Sequence, residues 1–263
     1  MNNRASMRNA VGIAIAVFLL DVPASAFAQK ADTARQIVAE AQRRNSSQSQ
    51  RYEGLLQSFD QTGKTTEKRW IFERLGSFGK SKTIIRFTEP AEVRGVALLI
   101  VNHDDRPSDQ WMWTPALERD RRVALQDRST RFFGTDFSFE DLEERDVNKR
   151  NYTLLGEESL AGAECWKIQA VAKPGNSSQY TRSIEWIRKD NYALAQIDSF
   201  VKDELIRRIK YSDIRNVQGI WTAMETAVTD MRRGSITRLV LEKVTYNVSL
   251  KESDFTLEAM RRR

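Results

Sequence analysis

Two residue types are nearly missing from this 263-residue chain: Cys165 is its single cysteine and His103 its single histidine. One cysteine cannot form an internal disulfide, so stability has to come from the core. One histidine removes the His-pair zinc motifs and makes any His-based triad depend on His103 alone, which disfavours most hydrolase chemistry. Proline (5) and glycine (12) are scarce, which excludes collagen-like and low-complexity chains. No apolar run reaches the roughly 20 residues that a spanning helix needs. The run at residues 10–20 follows Arg4 and Arg8 and precedes Ala26-Phe27-Ala28, the layout of a signal peptide over residues 1–28. Gln29 rather than cysteine follows that cleavage point, which argues against lipid attachment there. Residues 29–263 are expected to form one exported domain.

The apolar content of 40% suits a single core, and the net charge of +6 is a mild excess for a chain that is 30% charged. An exported chain with so small an excess is not expected to bind nucleic acid. Asp32 can cap a helix over residues 33–44, with Ala34, Ile37, Val38 and Ala41 at helical spacing. After it the period changes to two. Strands are expected at residues 52–60, 65–75, 80–88, 96–101, 110–114 and 121–125, and again at 152–158, 164–172, 179–188, 193–200, 204–211, 221–230 and 235–248. Turn residues separate nearly all of them, so neighbours should be antiparallel. The run 96–101 is apolar on both faces and should be covered on both sides.

Between the two sets lies an irregular segment, residues 126–149. Within it Ser138 with Asp141 three residues on is a capping-box pattern for a short helix carrying Phe139 and Leu142 on one side. About a dozen strands in one sheet must curl or close, because twist accumulates. Pairs at even spacing can share a face: Trp70 with Phe72, Ile85 with Phe87, Trp111 with Trp113, Ile184 with Trp186, Val240 with Val244. Two short helices would cover that face in part, leaving a packed core or a lidded apolar cavity; periodicity does not distinguish the two.

Other candidate sites have plainer readings. His103, beside Asp104 and Asp105, reads as part of an exposed hairpin loop, although a hydrolase would have to use it. Ser138 reads as a cap rather than a nucleophile. Glu140, Asp141, Glu143, Glu144 and Asp146 lack the Asp/Asn alternation and glycine of a calcium loop and read as a solvated face. Arg119, Arg121, Arg122, Arg128 and Arg131 read first as surface charge paired with that acidic segment, and second as a patch for anionic headgroups. Arg261-Arg262-Arg263 reads as a frayed tail.

Several short stretches then occur in a telling order: Phe87-Thr88-Glu89-Pro90, Arg94-Gly95-Val96-Ala97-Leu98-Leu99, Gln110-Trp111-Met112-Trp113-Thr114-Pro115-Ala116-Leu117, Arg121-Arg122-Val123, and Phe133-Gly134-Thr135-Asp136-Phe137-Ser138-Phe139-Glu140-Asp141-Leu142, closed by Tyr246-Asn247 and Asp254-Phe255. From about Ile37 to Leu257 the chain resembles the LolA-like outer-membrane lipoprotein-sorting family. The resemblance implies a mainly β fold with a few helices: a strongly curved antiparallel sheet forming an unclosed barrel, with helices covering its concave face. It implies a periplasmic carrier of lipid or lipoprotein acyl chains, working without catalysis, metal or cofactor and touching membrane surfaces transiently. An inner-membrane exporter of the RND type and an outer-membrane acceptor would be its partners. The alternative is an interaction or sensor module that docks to a membrane transporter complex. On strand parity Trp70, Phe72, Phe87, Leu98, Trp111, Trp113 and Trp186 would line the hollow, and the resemblance implies that Gly134, Asp136, Phe137, Phe139 and Leu142 form its lid.

Overall fold

The computed structural model describes residues 24–262; residues 1–23 of the expected signal peptide lie outside the described residues. Alternating side chains between turn residues give thirteen strands among the described residues. They are β1 (Ser49–Phe59), β2 (Thr65–Leu75), β3 (Lys82–Glu89), β4 (Ala97–Val101), β5 (Asp109–Thr114), β6 (Arg119–Arg122), β7 (Arg150–Leu160), β8 (Ala163–Ala172), β9 (Arg182–Arg188), β10 (Leu194–Val201), β11 (Glu204–Val217), β12 (Ile220–Asp230) and β13 (Ser235–Tyr246). Helix α1 (Ala24–Arg44) precedes them and α2 (Leu257–Arg261) follows. Chain neighbours pair antiparallel, and β1 closes onto β13, so the order is β6-β5-β4-β3-β2-β1-β13-β12-β11-β10-β9-β8-β7. The edges β6 and β7 do not pair, which leaves the sheet unclosed.

The sheet bends strongly. In a flat sheet β5 and β11, seven positions apart in this order, would lie about 34 Å from each other. Yet Glu143 accepts a hydrogen bond from Gln110 of β5 at 2.7 Å while Asp141, two residues earlier, pairs with Arg207 of β11. One short stretch of chain can touch both strands only if the sheet wraps around it.

That contact defines the inner face. Strand register carries it around the sheet: Ile197, Ile209, Val228, Thr237, Leu56, Trp70, Phe87, Leu98 and Met112 face inward, each set by pairing with the neighbouring strand. Gly54 holds a register shift opposite β13, where a Cβ would lie 2.1 Å from the Val240 carbonyl oxygen. Only glycine fits so close an approach. The shift also puts Val244 inward and Val240 outward, so these two do not share the face that their even spacing suggested.

Helix α1 lies on the inner face, burying Ala34, Ile37, Val38 and Ala41 against Tyr152, Ile168, Ala170 and Ile187. Helix α2 lies on the outer one. Thr256 caps it, Met260 is fully buried against Ile84, Ala97 and Leu99, and Arg86 donates to the carbonyls of Ala259 and Met260. Arg261 ends α2 and bonds Asp120 at 2.8 Å, so this first residue of the expected frayed tail is docked, while Arg263 lies outside the described residues. β4 is buried on both faces as expected, because Leu98 and Ile100 point inward while Ala97 and Leu99 meet α2. Among the described residues no helix is long and apolar enough to cross a membrane, and no group of three or more His, Cys, Asp or Glu is arranged to hold a metal ion.

Candidate functional site

The segment between β6 and β7 is only partly on the surface. It runs across the inner face and fills it. Phe132 stacks on Phe87 with ring centroids 5.5 Å apart, Phe133 meets Phe87 edge-on, and Phe139 meets Phe132 edge-on at 5.7 Å. Phe132 and Phe139 are buried with Leu56, Trp70, Ile85, Leu98 and Leu241, while Phe137 is buried against Ile197, Ile209 and Val228. Leu142 packs against both groups. The segment is therefore a plug, and the space that curvature creates is occupied by the chain's own aromatic side chains.

Polar groups hold the plug in place. Asp136, with no exposed surface, accepts from Ser235 Oγ at 2.6 Å, Thr237 Oγ1 at 2.8 Å and Arg131 Nη2 at 2.9 Å, while its own N–H donates to Thr237. Asp141 accepts from Tyr180 Oη at 2.8 Å and pairs with Arg207, and Ser138 donates to it from both its N–H and its hydroxyl. Ser138 and Asp141 thus exchange bonds as a capping box does, around a 3-10 turn at Glu140–Leu142. Glu143 meets Arg128 and Gln110, Glu144 meets Arg74 and Ser81, and Arg145 meets Glu185 of β9. Burial raises the Glu143 carboxyl above its ordinary value against the pull of Arg128.

The acidic residues expected on a solvated face are in large part buried ion-pair partners instead. The signal for this lies in the strands: Arg74 and Arg207 stand at inward positions, where a guanidinium requires a carboxylate. Phe132, Arg74, Tyr180, Arg207 and Thr237 were all missed as parts of the site. The basic cluster divides as its first reading supposed in part. Arg128 and Arg131 pair with the segment, Arg121 and Arg122 pair with Asp127 and Asp109, and Arg119 stays exposed.

Register separates the seven side chains expected in the hollow. Trp70, Phe72, Phe87 and Leu98 face inward. Trp111 and Trp113 do not: Leu98 pairs with Met112, so its neighbours on β5 point outward, where they pack with Ala97, Leu99, Phe255 and Met260 beneath α2. Trp186 also points outward, because Glu185 pairs with inward Ile197; its ring packs with Cys165, Ile184 and Phe200. Of the lid residues, Asp136, Phe137, Phe139 and Leu142 sit in the plug, and Gly134 takes a φ of +74° at its exposed tip. His103 lies in the β4–β5 loop with Nε2 3.0 Å from Asp109 Oδ2. Arg106, then Arg122 and His103, hold the Asp109 carboxyl well below its usual range, an arrangement that ties down a loop. The hydroxyl of Ser138 is committed to Asp141.

A family model described as an uncharacterized protein matches residues 79–262. A comparison with curated proteins gives no match. Among solved structures, a DUF1329 family protein from Desulfovibrio piger is 26% identical with a TM-score of 0.84, covering 88% of this chain and 99% of its own. A domain from Vibrio parahaemolyticus, provisionally described as an outer membrane lipoprotein-sorting protein, is 22% identical with a TM-score of 0.83, covering 88% and 100%. A LolA superfamily protein from Nitrosomonas europaea is 18% identical with a TM-score of 0.69, covering 86% and 98%. The family match spans most of the chain, so the chain belongs to that family, and its open sheet is the LolA-like fold that recurs in these structures.

Proposed function

We propose that this protein is a periplasmic carrier that binds the acyl chains of a lipid or lipoprotein on the inner face of its sheet, once the plug withdraws, and moves them from the inner toward the outer membrane. The observation that carries the reading is the plug itself: a segment of apolar side chains lies over an apolar face and is fastened by polar bonds. The buried Phe132, Phe137 and Phe139 contribute roughly 1.5–3 kcal/mol each and the half-buried Phe133 and Leu142 about half of that, on the order of 6–12 kcal/mol together. A sixteen-carbon chain at about 0.8 kcal/mol per methylene contributes on the order of 12 kcal/mol. The two burials are of the same size, so exchange of plug for cargo is close to balanced and the polar latches set its direction. Such exchange is a population shift and uses no catalysis.

The Vibrio parahaemolyticus domain is named for lipoprotein sorting, and the shared fold brings that reading here. Donor and acceptor would be an inner-membrane exporter of the RND type and an outer-membrane protein. Removal of residues 1–28 would leave Ala34, Ile37, Val38 and Ala41 of α1 in place.

Native mass spectrometry after gentle purification tests the reading. The expected spectrum contains lipid-sized adducts, and a fluorescent fatty acid binds the delipidated protein. A protein that is always empty and takes up no fatty acid overturns it, and the filled inner face would then belong to an interaction module that docks to a membrane complex.

A further inference from the structure

At the end of the sheet where the tip of the plug meets the β10–β11 and β12–β13 turns, a cleft of about 660 Å³ opens. Four guanidiniums line it: Arg131, Arg207, Arg232 and Arg233. Its one lining carboxylate, Asp230, is buried and accepts from the backbone N–H groups of Arg232 and Arg233 at 3.1 and 3.0 Å. The partners of Arg131 and Arg207, Asp136 and Asp141, have side chains with no exposed surface, so the arginines rather than the carboxylates border the opening. Glu204, more than half exposed, holds Arg232 at the lip. Arg233 is exposed and makes no side-chain hydrogen bond or ion pair among the described residues. Arg207 is only 5% exposed, and its Nε–H has no acceptor. Val201 and Ile206 add apolar wall, and the exposed Met231 and Ile236 flank the same turn.

We propose that this cleft takes a phosphate group, the headgroup of the carrier's cargo lipid. The inference rests on the carrier reading and names its substrate class. Guanidiniums bind phosphate bidentately, and at the exposed lip the pairing is open to screening by salt. The same arginines fasten the plug. A phosphate that engages Arg131 and Arg207 competes with Asp136 and Asp141 for them, so headgroup binding and plug release are coupled, and the acyl chains enter the face that the headgroup has helped to clear.

Calorimetry on the chain without residues 1–28 tests this with three probes: dioctanoylphosphatidylglycerol, dioctanoylglycerol with the same chains and no phosphate, and inorganic phosphate. The phosphatidylglycerol is expected to bind about tenfold more tightly than the diacylglycerol. That ratio should fall to within about twofold in Arg232→Ala/Arg233→Ala, and should shrink between about 50 and about 500 mM salt. Arg233→Ala alone, which breaks no side-chain hydrogen bond or ion pair among the described residues, should lower it about threefold. Equal binding of both lipids by the wild type, or a ratio unchanged in the double variant, overturns the headgroup site while the carrier reading stands. Inorganic phosphate binding as tightly as phosphatidylglycerol assigns the cleft to free anions and also overturns it. Binding of neither lipid removes both proposals.

Discussion

Asp141→Asn is expected to lower the unfolding free energy by about 3–5 kcal/mol, because it leaves Arg207 charged, buried and without its carboxylate. The substitution keeps side-chain volume, so the loss reports charge rather than packing. Asp230, whose Oδ2 is 3.9 Å from Arg207 Nη2, stays near the guanidinium without hydrogen-bonding it, so the loss should fall toward the lower end of that range. Since Asp141 belongs to the plug and Arg207 to β11, the weakened bond should also free the plug: a fluorescent fatty acid should bind faster to the variant than to the wild type. Replacing both partners with apolar residues, Asp141→Leu with Arg207→Met, should recover most of the stability. Denaturant midpoints and uptake rates of the three proteins check this. A midpoint for Asp141→Asn equal to that of the wild type would show that the pair does not latch the plug.

Phe139→Ala is expected to cost about 3–5 kcal/mol through lost burial and the cavity left behind. Phe139 is 4% exposed and packs with Phe132 over the β1–β4 side of the inner face. Its backbone bonds, from its N–H to Thr130 O and from Gln110 Nε2 to its carbonyl, do not depend on the ring, so the segment should stay in place around an apolar hole. An apolar hole of that kind stays dry and accepts hydrocarbon. Laurate should therefore raise the melting temperature of Phe139→Ala by more than it raises that of the wild type. Trp186→Ala, on the outer face, should lose stability without any added response to laurate. Equal ligand responses in Phe139→Ala and Trp186→Ala would separate fatty-acid binding from the plugged face.

Much of the fold is legible in the sequence because turn residues and period-two alternation are local properties. The second strand has its expected bounds of 65–75, and the doubly apolar run at β4 is covered on both sides. Parity within a strand is legible too: Trp111 and Trp113 do share a face. Which face points inward is not legible, because that depends on register with strands remote in sequence and on bulges. One such shift, opposite Gly54, sends Val240 outward and Val244 inward. Trp186 was misplaced in the same way.

The plug was hidden for a different reason. Five acidic residues in seven, from Glu140 to Asp146, look solvated when their cationic partners lie far away along the chain. Arg74 and Arg207 are brought to them only by the curvature of the sheet. Arg74 on β2, which follows Trp70 and Phe72 on the same parity, is the available clue. Helix α2 is only five residues long, and its docking depends on the outward face of β4, which the sequence does not identify as a partner.

Amide hydrogen exchange with and without a sixteen-carbon fatty acid tests the displacement of the plug most directly. The turn bonds of the segment, Phe132 N–H to Phe137 O, Phe139 N–H to Thr130 O and Glu140 N–H to Arg128 O, should exchange faster when the acid is bound, while amides of β2, β3 and β4 keep or gain protection. Bound acid with unchanged or slower exchange across residues 130–142 would contradict displacement and place the hydrocarbon elsewhere on the molecule.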